Sequence, residues 1–151
     1  MDESAFRSTW CAVNPITCAF EKAQGAKRCF CEKSVRTAIA EREAVGCSSA
    51  ELAADCRELL ALLHENARFT LHLPHLEGAL PHAKEMKVQC GGLLGLQGAL
   101  DEEKAEAATV DNIFALLRQA VAHYGGLDRL PYGEIIKTVA AFEIRRRPSR
   151  L

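Results

Sequence analysis

The stretch SSAELAADCRELLALLHENARF, residues 48–69, is the clearest helix in the sequence. Ser48 is followed three residues later by Glu51, the spacing of a capping box, in which two side chains bond to free amides of the first helical turn. The apolar residues that follow recur at helical spacing and form one face: Leu52, Cys56, Leu59, Leu60 and Leu63. The pattern predicts an amphipathic helix and places Cys56 in a hydrophobic core.

Helical patterns continue on both sides of this segment. They predict helices over residues 14–25, from about 31 to 43, from Pro81 into the sequence CGGLLGLQG, over most of 109–126, and from Pro131 onward. The glycines of the CGGLLGLQG helix predict a close contact with another helix, and no segment alternates like a strand. The sequence therefore predicts an all-α fold, a single-domain bundle of about five to seven helices over residues 1–151. Its N-terminal part, about 11–47, is rich in cysteine, and residues 145–151 form a short basic tail.

Composition and charge narrow the classes of function. The 151 residues are 48% hydrophobic and 26% charged, which is typical of one globular domain. The net charge of −1 predicts no strong attraction to nucleic acid. No apolar run approaches the ~18 residues that a membrane span needs, and residues 1–10 lack the apolar core of a secretory signal. We therefore expect a cytoplasmic protein, in a compartment where structural disulfides are rare.

Seven cysteines are many for such a protein, and their positions separate them into two groups. Cys56 and Cys90 lie on apolar helix faces, which predicts core packing. The other five lie in predicted loops, at helix starts or off the apolar stripes, where several thiolates can converge and meet free amides: Cys11, Cys18, Cys29, Cys31 and Cys47. We predict that Cys11, Cys18, Cys29 and Cys31 supply most of the ligands of a metal site, with Cys47 as the first substitute. Residues 28–31 should then be extended or turning, with a helix beginning near Cys31.

The spacing of the cysteines bears on which metal they bind. Thiolates suit iron–sulfur clusters, zinc and copper(I). Paired Cys-x₂₋₄-Cys knuckles, which are usual in structural zinc sites, do not occur, and ferredoxin spacing is also missing. An all-cysteine set at irregular spacing favours an iron–sulfur cluster, such as [4Fe–4S], for electron transfer or redox sensing, and zinc is the alternative cofactor.

Two functions without a metal remain open at this point. The chain could be a protein-interaction module whose surfaces are GGLLGLQGAL, residues 91–100, and the basic tail. It could also be a thiol redox switch in which Cys47 reacts and Cys29 or Cys31 resolves it. The sequence carries no nucleophile elbow, Walker loop or dinucleotide fingerprint, which favours a role other than an enzyme.

The sequence also suggests partners and leaves one group of side chains open. The partner we expect is another protein, a redox partner or an enzyme, rather than a membrane or a nucleic acid, and self-association stays open. His72, His75 and His82 surround two prolines, and the sequence does not decide whether they bind an ion.

Overall fold

A computed structural model of the chain describes Ala5, residues 16–71 and residues 80–143. In chain order its elements are α1 (Glu21–Gly25), β1 (Ser34–Ile39), β2 (Arg42–Cys47), α2 (Ala50–Ala67), α3 (His82–Met86), a π-helical turn (Lys87–Gly91), α4 (Gly92–Leu100), a 3₁₀ turn (Glu102–Lys104), α5 (Ile113–Tyr124), a second 3₁₀ turn (Leu127–Arg129) and α6 (Tyr132–Ala141). The chain is mostly helical, and the described part contains no helix that is both long and apolar enough to cross a membrane.

Helix α2 is an amphipathic helix with one face in the core, as its sequence predicts. It packs against α6, the π-helical turn and β2, and its leucines Leu59 and Leu63 are almost fully buried. The N-cap is Ser49, whose hydroxyl accepts a hydrogen bond from the Leu52 amide at 3.1 Å. The prediction of Ser48 as the N-cap is therefore wrong by one residue, because the chain turns out of β2 through Ser48.

The long glycine-containing helix makes the close contact that its sequence predicts. A Cβ atom added at Gly91 would lie 2.6 Å from the Cα of Val139, and one added at Gly95 would lie 2.9 Å from the carbonyl oxygen of Ile135. Backbone of α6 therefore occupies the space where larger side chains would lie. This confirms a glycine-dependent contact, here between α6 and the continuous helical segment formed by α3, the π-helical turn and α4.

The end of α5 and the start of α6 lie where the sequence predicts, whereas α5 begins at Ile113, later than the predicted stretch from residue 109. Helix α5 stops at Gly125, which takes a left-handed conformation with φ of 93°. Such a conformation costs glycine little, which is why glycine ends so many helices. Pro131 is the N-cap of α6.

The all-α prediction is wrong, because residues 34–47 form an antiparallel β-hairpin instead of part of a helix. Ser34 pairs with Cys47, and the register runs to the pair Ile39 and Arg42 at the turn. Most of β1 is exposed or half-exposed on both faces, so its sequence shows no apolar alternation. Ala40 occupies the turn with φ of 57°, a conformation more often taken by glycine or asparagine, so the usual hairpin signal is missing.

The predicted helix over residues 14–25 is also wrong in its first half. Of the predicted range 14–25, the structure describes residues 16–25, and only Glu21–Gly25 of these are helical. Residues 14 and 15 lie outside the described residues. Residues 16–18 pair instead with the free side of β2: the Cys18 amide donates to the Val45 carbonyl at 3.1 Å, and the Cys47 amide donates to the Ile16 carbonyl at 2.9 Å. Pairing with β2 satisfies backbone groups that would otherwise be left without partners.

Candidate metal centre

Four cysteine side chains line one cavity between the hairpin and α2. They are Cys18, Cys31, Cys47 and Cys56, and we call them the four-thiol site. Each comes from a different part of the fold: the segment before α1, the turn before β1, the end of β2 and the second turn of α2. The fold therefore brings together thiols that are far apart in the sequence.

Apolar groups form most of the remaining wall. Ala19, Leu52, Ala53 and Ile113 line the cavity beside the thiols, with Gln24 and Ser34 at one side. Such a wall keeps out water and lowers the local dielectric constant, so each nearby charge or dipole acts more strongly than it would in water. The environment suits a buried centre that depends on a few placed polar groups.

Local backbone structure fixes three of the four thiols in the same way. The amide two residues further along the chain hydrogen-bonds to the sulfur: Phe20 to Cys18, Lys33 to Cys31, and Ser49 to Cys47. In the last of these, the nitrogen–sulfur distance is 3.4 Å. The amide of Phe114, at the start of α5, is a second donor to Cys31. Amides aimed at sulfur favour the thiolate over the thiol, which is the form that binds a metal.

Without a cation, burial raises the pKa of three of the thiols and so disfavours their thiolate forms. Burial raises the pKa of Cys18 to about 11, against the hydrogen bonds from Gln24 and Phe20, which lower it. Burial likewise raises the pKa of Cys31 and of Cys56. Repulsion among the four sulfurs adds to this, since a negative charge on Cys18, Cys31 or Cys47 disfavours one on Cys56. A bound cation would reverse both effects, because it replaces the lost hydration and offsets the mutual repulsion.

The four described side chains are not arranged in a metal-binding geometry in this structure. The cavity between them is small, about 10 Å³. Within residues 16–71 and 80–143, no three His, Cys, Asp or Glu side chains are placed so as to hold a metal ion. Binding would therefore require the thiols and the segments that carry them to move, and Cys18, Cys31 and Cys47 lie on loops or at a strand end.

The structure brings three of the five predicted ligands together and separates a fourth from them. Cys18, Cys31 and Cys47 line the cavity, whereas Cys11 lies outside the described residues. Cys29 is fully buried on the other side of its strand-like segment, where its thiol hydrogen-bonds to Cys90. That hydrogen bond and burial raise the pKa of Cys29. The Cys90 thiol also lies 3.5 Å from the Met86 sulfur, so this pair belongs to the core.

Cys56 is the member of the site that the sequence places elsewhere. It is almost fully buried, as expected for a residue on the leucine face of α2, and it also reaches the cavity. Its apolar helix face conceals this second property. One feature of the sequence does point to the cavity: Cys56 lies one helical turn after Leu52, near the N-terminus of α2, and Cys47 directly precedes that end of the helix.

The histidine group is described only in part. His72 and His75 lie outside the described residues. His82 is the first residue of α3, and its Nδ1 lies 2.9 Å from the Nζ atom of Lys22.

Comparison with known proteins does not supply a function. No protein family, curated protein or solved structure matches this chain.

Proposed function

We propose that this chain is a small metalloprotein in which Cys18, Cys31, Cys47 and Cys56 bind an iron–sulfur cluster for electron transfer or redox sensing. The observation that carries the proposal is the convergence of four thiols from four separate segments on one apolar cavity. Cytoplasmic location and a protein redox partner are part of the same proposal, since a cysteine-ligated cluster of this kind needs a reducing compartment and a partner with which to exchange electrons.

The hydrogen bonds to sulfur argue against simple packing. Cys18, Cys31 and Cys47 each accept a hydrogen bond from the amide two residues further along the chain. Cys29 in the core also has one amide donor, from Val110, and Cys56 has none, so the repeated local geometry at three of the four site thiols is what supports ligation. By contrast, Cys90 makes its sulfur contacts with other sulfur-containing side chains of the core. Hydrogen bonds to ligand sulfurs are among the features by which proteins tune iron–sulfur clusters.

The distribution of the ligands favours a cluster over zinc. Twelve, fifteen and eight residues separate the four cysteines, so no two of them form a short knuckle. A structural zinc ion is usually held by two such knuckles. A cluster instead needs one thiolate at each of several iron atoms, approached from different directions, and four separate segments supply ligands in that way.

The four thiols would also connect parts of the fold that are otherwise joined weakly. Binding at this site ties residues 16–18, the hairpin and α2 to one point, so part of the binding free energy would stabilise the N-terminal part of the molecule. The cluster supplies one-electron chemistry when bound. The chain itself supplies the thiolates, the amide donors and the apolar wall that keeps out water.

Anaerobic purification followed by absorption spectroscopy and analysis of iron, acid-labile sulfide and zinc tests the proposal. We expect broad absorption near 400 nm with iron and sulfide in similar amounts. Serine at position 18, 31, 47 or 56 should reduce the cluster content several-fold, because each change removes one ligand. Cys29→Ser and Cys90→Ser are the matched controls, since both thiols are buried in the core but do not line the cavity, and they should retain the cluster.

The possible results separate the proposals cleanly. One zinc ion per chain, lost in the same four variants, would keep the site and contradict the cluster. Protein with no iron, zinc or copper, whose thiols all titrate once it is unfolded, would contradict the metal site altogether and favour a metal-free interaction module. Cluster loss in Cys29→Ser as large as in Cys31→Ser would show that the ligand set is misassigned.

A further inference from the structure

A buried glutamine lies directly beside the four-thiol site. Gln24 is 1% exposed, and its Nε2 atom donates a hydrogen bond to the sulfur of Cys18 at 3.0 Å. The Oε1 atom of the same amide accepts hydrogen bonds from the Ser34 hydroxyl at 2.6 Å and from the Arg36 guanidinium at 3.2 Å. Every polar atom of this side chain is therefore engaged, one towards the sulfur and the other towards the hairpin.

The hairpin determines which way the amide points. A guanidinium group has donors and no acceptor, so the Gln24 atom that faces Arg36 must be the oxygen. The amide nitrogen then faces Cys18. Arg36 itself donates a hydrogen bond at 2.5 Å to the carboxylate of Glu43, which lies on β2 diagonally across the hairpin. A chain of hydrogen bonds thus runs from the sulfur of Cys18 to side chains at the surface of the hairpin.

We infer that Gln24 is a positioning residue that raises the reduction potential of the centre through its hydrogen bond to Cys18, and that Ser34 and Arg36 hold it in the donating orientation. This inference rests on the proposed function, because a potential belongs to a bound cluster. The physical reason is that reduction adds negative charge, part of which lies on the ligand sulfurs. A donor aimed at one of these sulfurs stabilises the reduced state more than the oxidised state. The positive charge of Arg36 acts in the same direction.

The test is a redox titration of the cluster-loaded full chain, with Gln24→Leu compared with the wild type. Leucine keeps much of the volume and removes the donor. We expect the ratio of reduced to oxidised cluster at a fixed potential to fall about tenfold, which is ~59 mV for a one-electron couple. Gln97→Leu is the matched control: Gln97 is also buried, but its Nε2 donates to the Thr109 carbonyl at 3.0 Å, away from the four thiols. Its potential should equal that of the wild type.

Ser34→Ala and Arg36→Gln provide the second measurement, in case Gln24→Leu fails to hold the cluster. Each removes one hydrogen bond to Oε1 while leaving Gln24 in place, so each should lower the potential by less than Gln24→Leu, with the same sign.

The results distinguish this inference from the proposed function. Wild-type protein without a cluster would overturn both. Suppose that the wild type and the variants Gln24→Leu, Ser34→Ala and Arg36→Gln all hold a full cluster with the same reduction potential. That result would overturn the role of Gln24 and leave the proposed function intact. An equal shift in Gln97→Leu would show a general effect of removing a buried amide and would also overturn the role of Gln24.

Discussion

The two ends of the described chain are stabilised by different means. Residues 82–141 form long helices whose apolar side chains pack against one another and against α2, with buried residues such as Leu93, Ile113 and Ile135. Residues 16–49 form a five-residue helix, a two-stranded hairpin and turns, and their contact with the rest includes the four-thiol site. A small two-stranded hairpin is at best marginally stable alone. On the proposed function, we expect the N-terminal part, residues 16–49, to depend on ligand binding more than the helical part, residues 82–141, does.

The largest expected effect follows directly from this difference. On the proposed function, removing the cluster under anaerobic conditions should reduce amide protection over residues 16–48 by roughly 100-fold, because metal binding would be coupled to folding there. Protection in α4, α5 and α6 should change little, since apolar packing holds them. Hydrogen exchange followed by mass spectrometry measures both regions in one experiment. An equal loss of protection in the two regions would show that they unfold as one unit and would remove the basis of the comparison.

Predictability from sequence differs between the same two regions. The helical part carries local signals, such as the Gly125 stop of α5 and Pro131 before α6, and each signal acts on the residues next to it. The hairpin lacks them, because β1 is exposed on both faces and Ala40 stands in the turn. The helical pattern seen in residues 31–43 is overridden by pairing with a strand further along the chain.

The site shows a similar limit. The sequence indicates that cysteines at loops and helix starts could share a metal, and Cys18, Cys31 and Cys47 do lie together. The sequence cannot indicate that Cys29 faces Cys90 while Cys31 faces the cavity. Two residues spaced i and i+2 point the same way in a regular extended segment, but the segment that holds Cys29 and Cys31 is not regular. The sequence also cannot show that Cys56 serves the core and the cavity at once. Both facts depend on the path of the chain between elements.

A second prediction tests the packing of the helical part. Gly91→Ala should destabilise the protein by about 1–3 kcal/mol, the usual cost of overpacking, because the new methyl group would meet the backbone of Val139. The matched control is Gly133→Ala in α6, where a Cβ atom meets nothing within 4 Å. That change should stabilise the protein by up to ~1 kcal/mol, since alanine favours the helix. Urea unfolding of the two variants measures both values.

The outcome bears on the comparison between the regions. If Gly91→Ala lowers stability without changing metal content, the helical part is stabilised by its own packing. A Gly91→Ala variant as stable as the wild type would contradict the close contact between α6 and the helix that contains Gly91.

The smallest expected effect concerns the N-terminal part once the metal is removed. In the metal-free protein the pKa of Cys18 is about 11, above its ordinary value of 9.0, because burial disfavours the thiolate. The folded state then holds this proton more tightly than the unfolded state does. The stability that Cys18 contributes is therefore complete below pH 9 and is lost as the pH rises from 9 to 11.

Replacing the thiol isolates this contribution from the other groups that titrate at high pH. In metal-free protein, the free energy of unfolding should fall between pH 8 and pH 11 by on the order of 1–2 kcal/mol more in the wild type than in Cys18→Ala. Urea unfolding at several pH values measures the difference, with reductant present to keep the thiols free. Equal pH dependence in the two proteins would mean that the Cys18 thiol meets water as freely when folded as when unfolded. The apolar cavity between the hairpin and α2 would then not exclude water. The four-thiol site would be a solvated surface feature, and it would no longer distinguish the N-terminal part from the helical part.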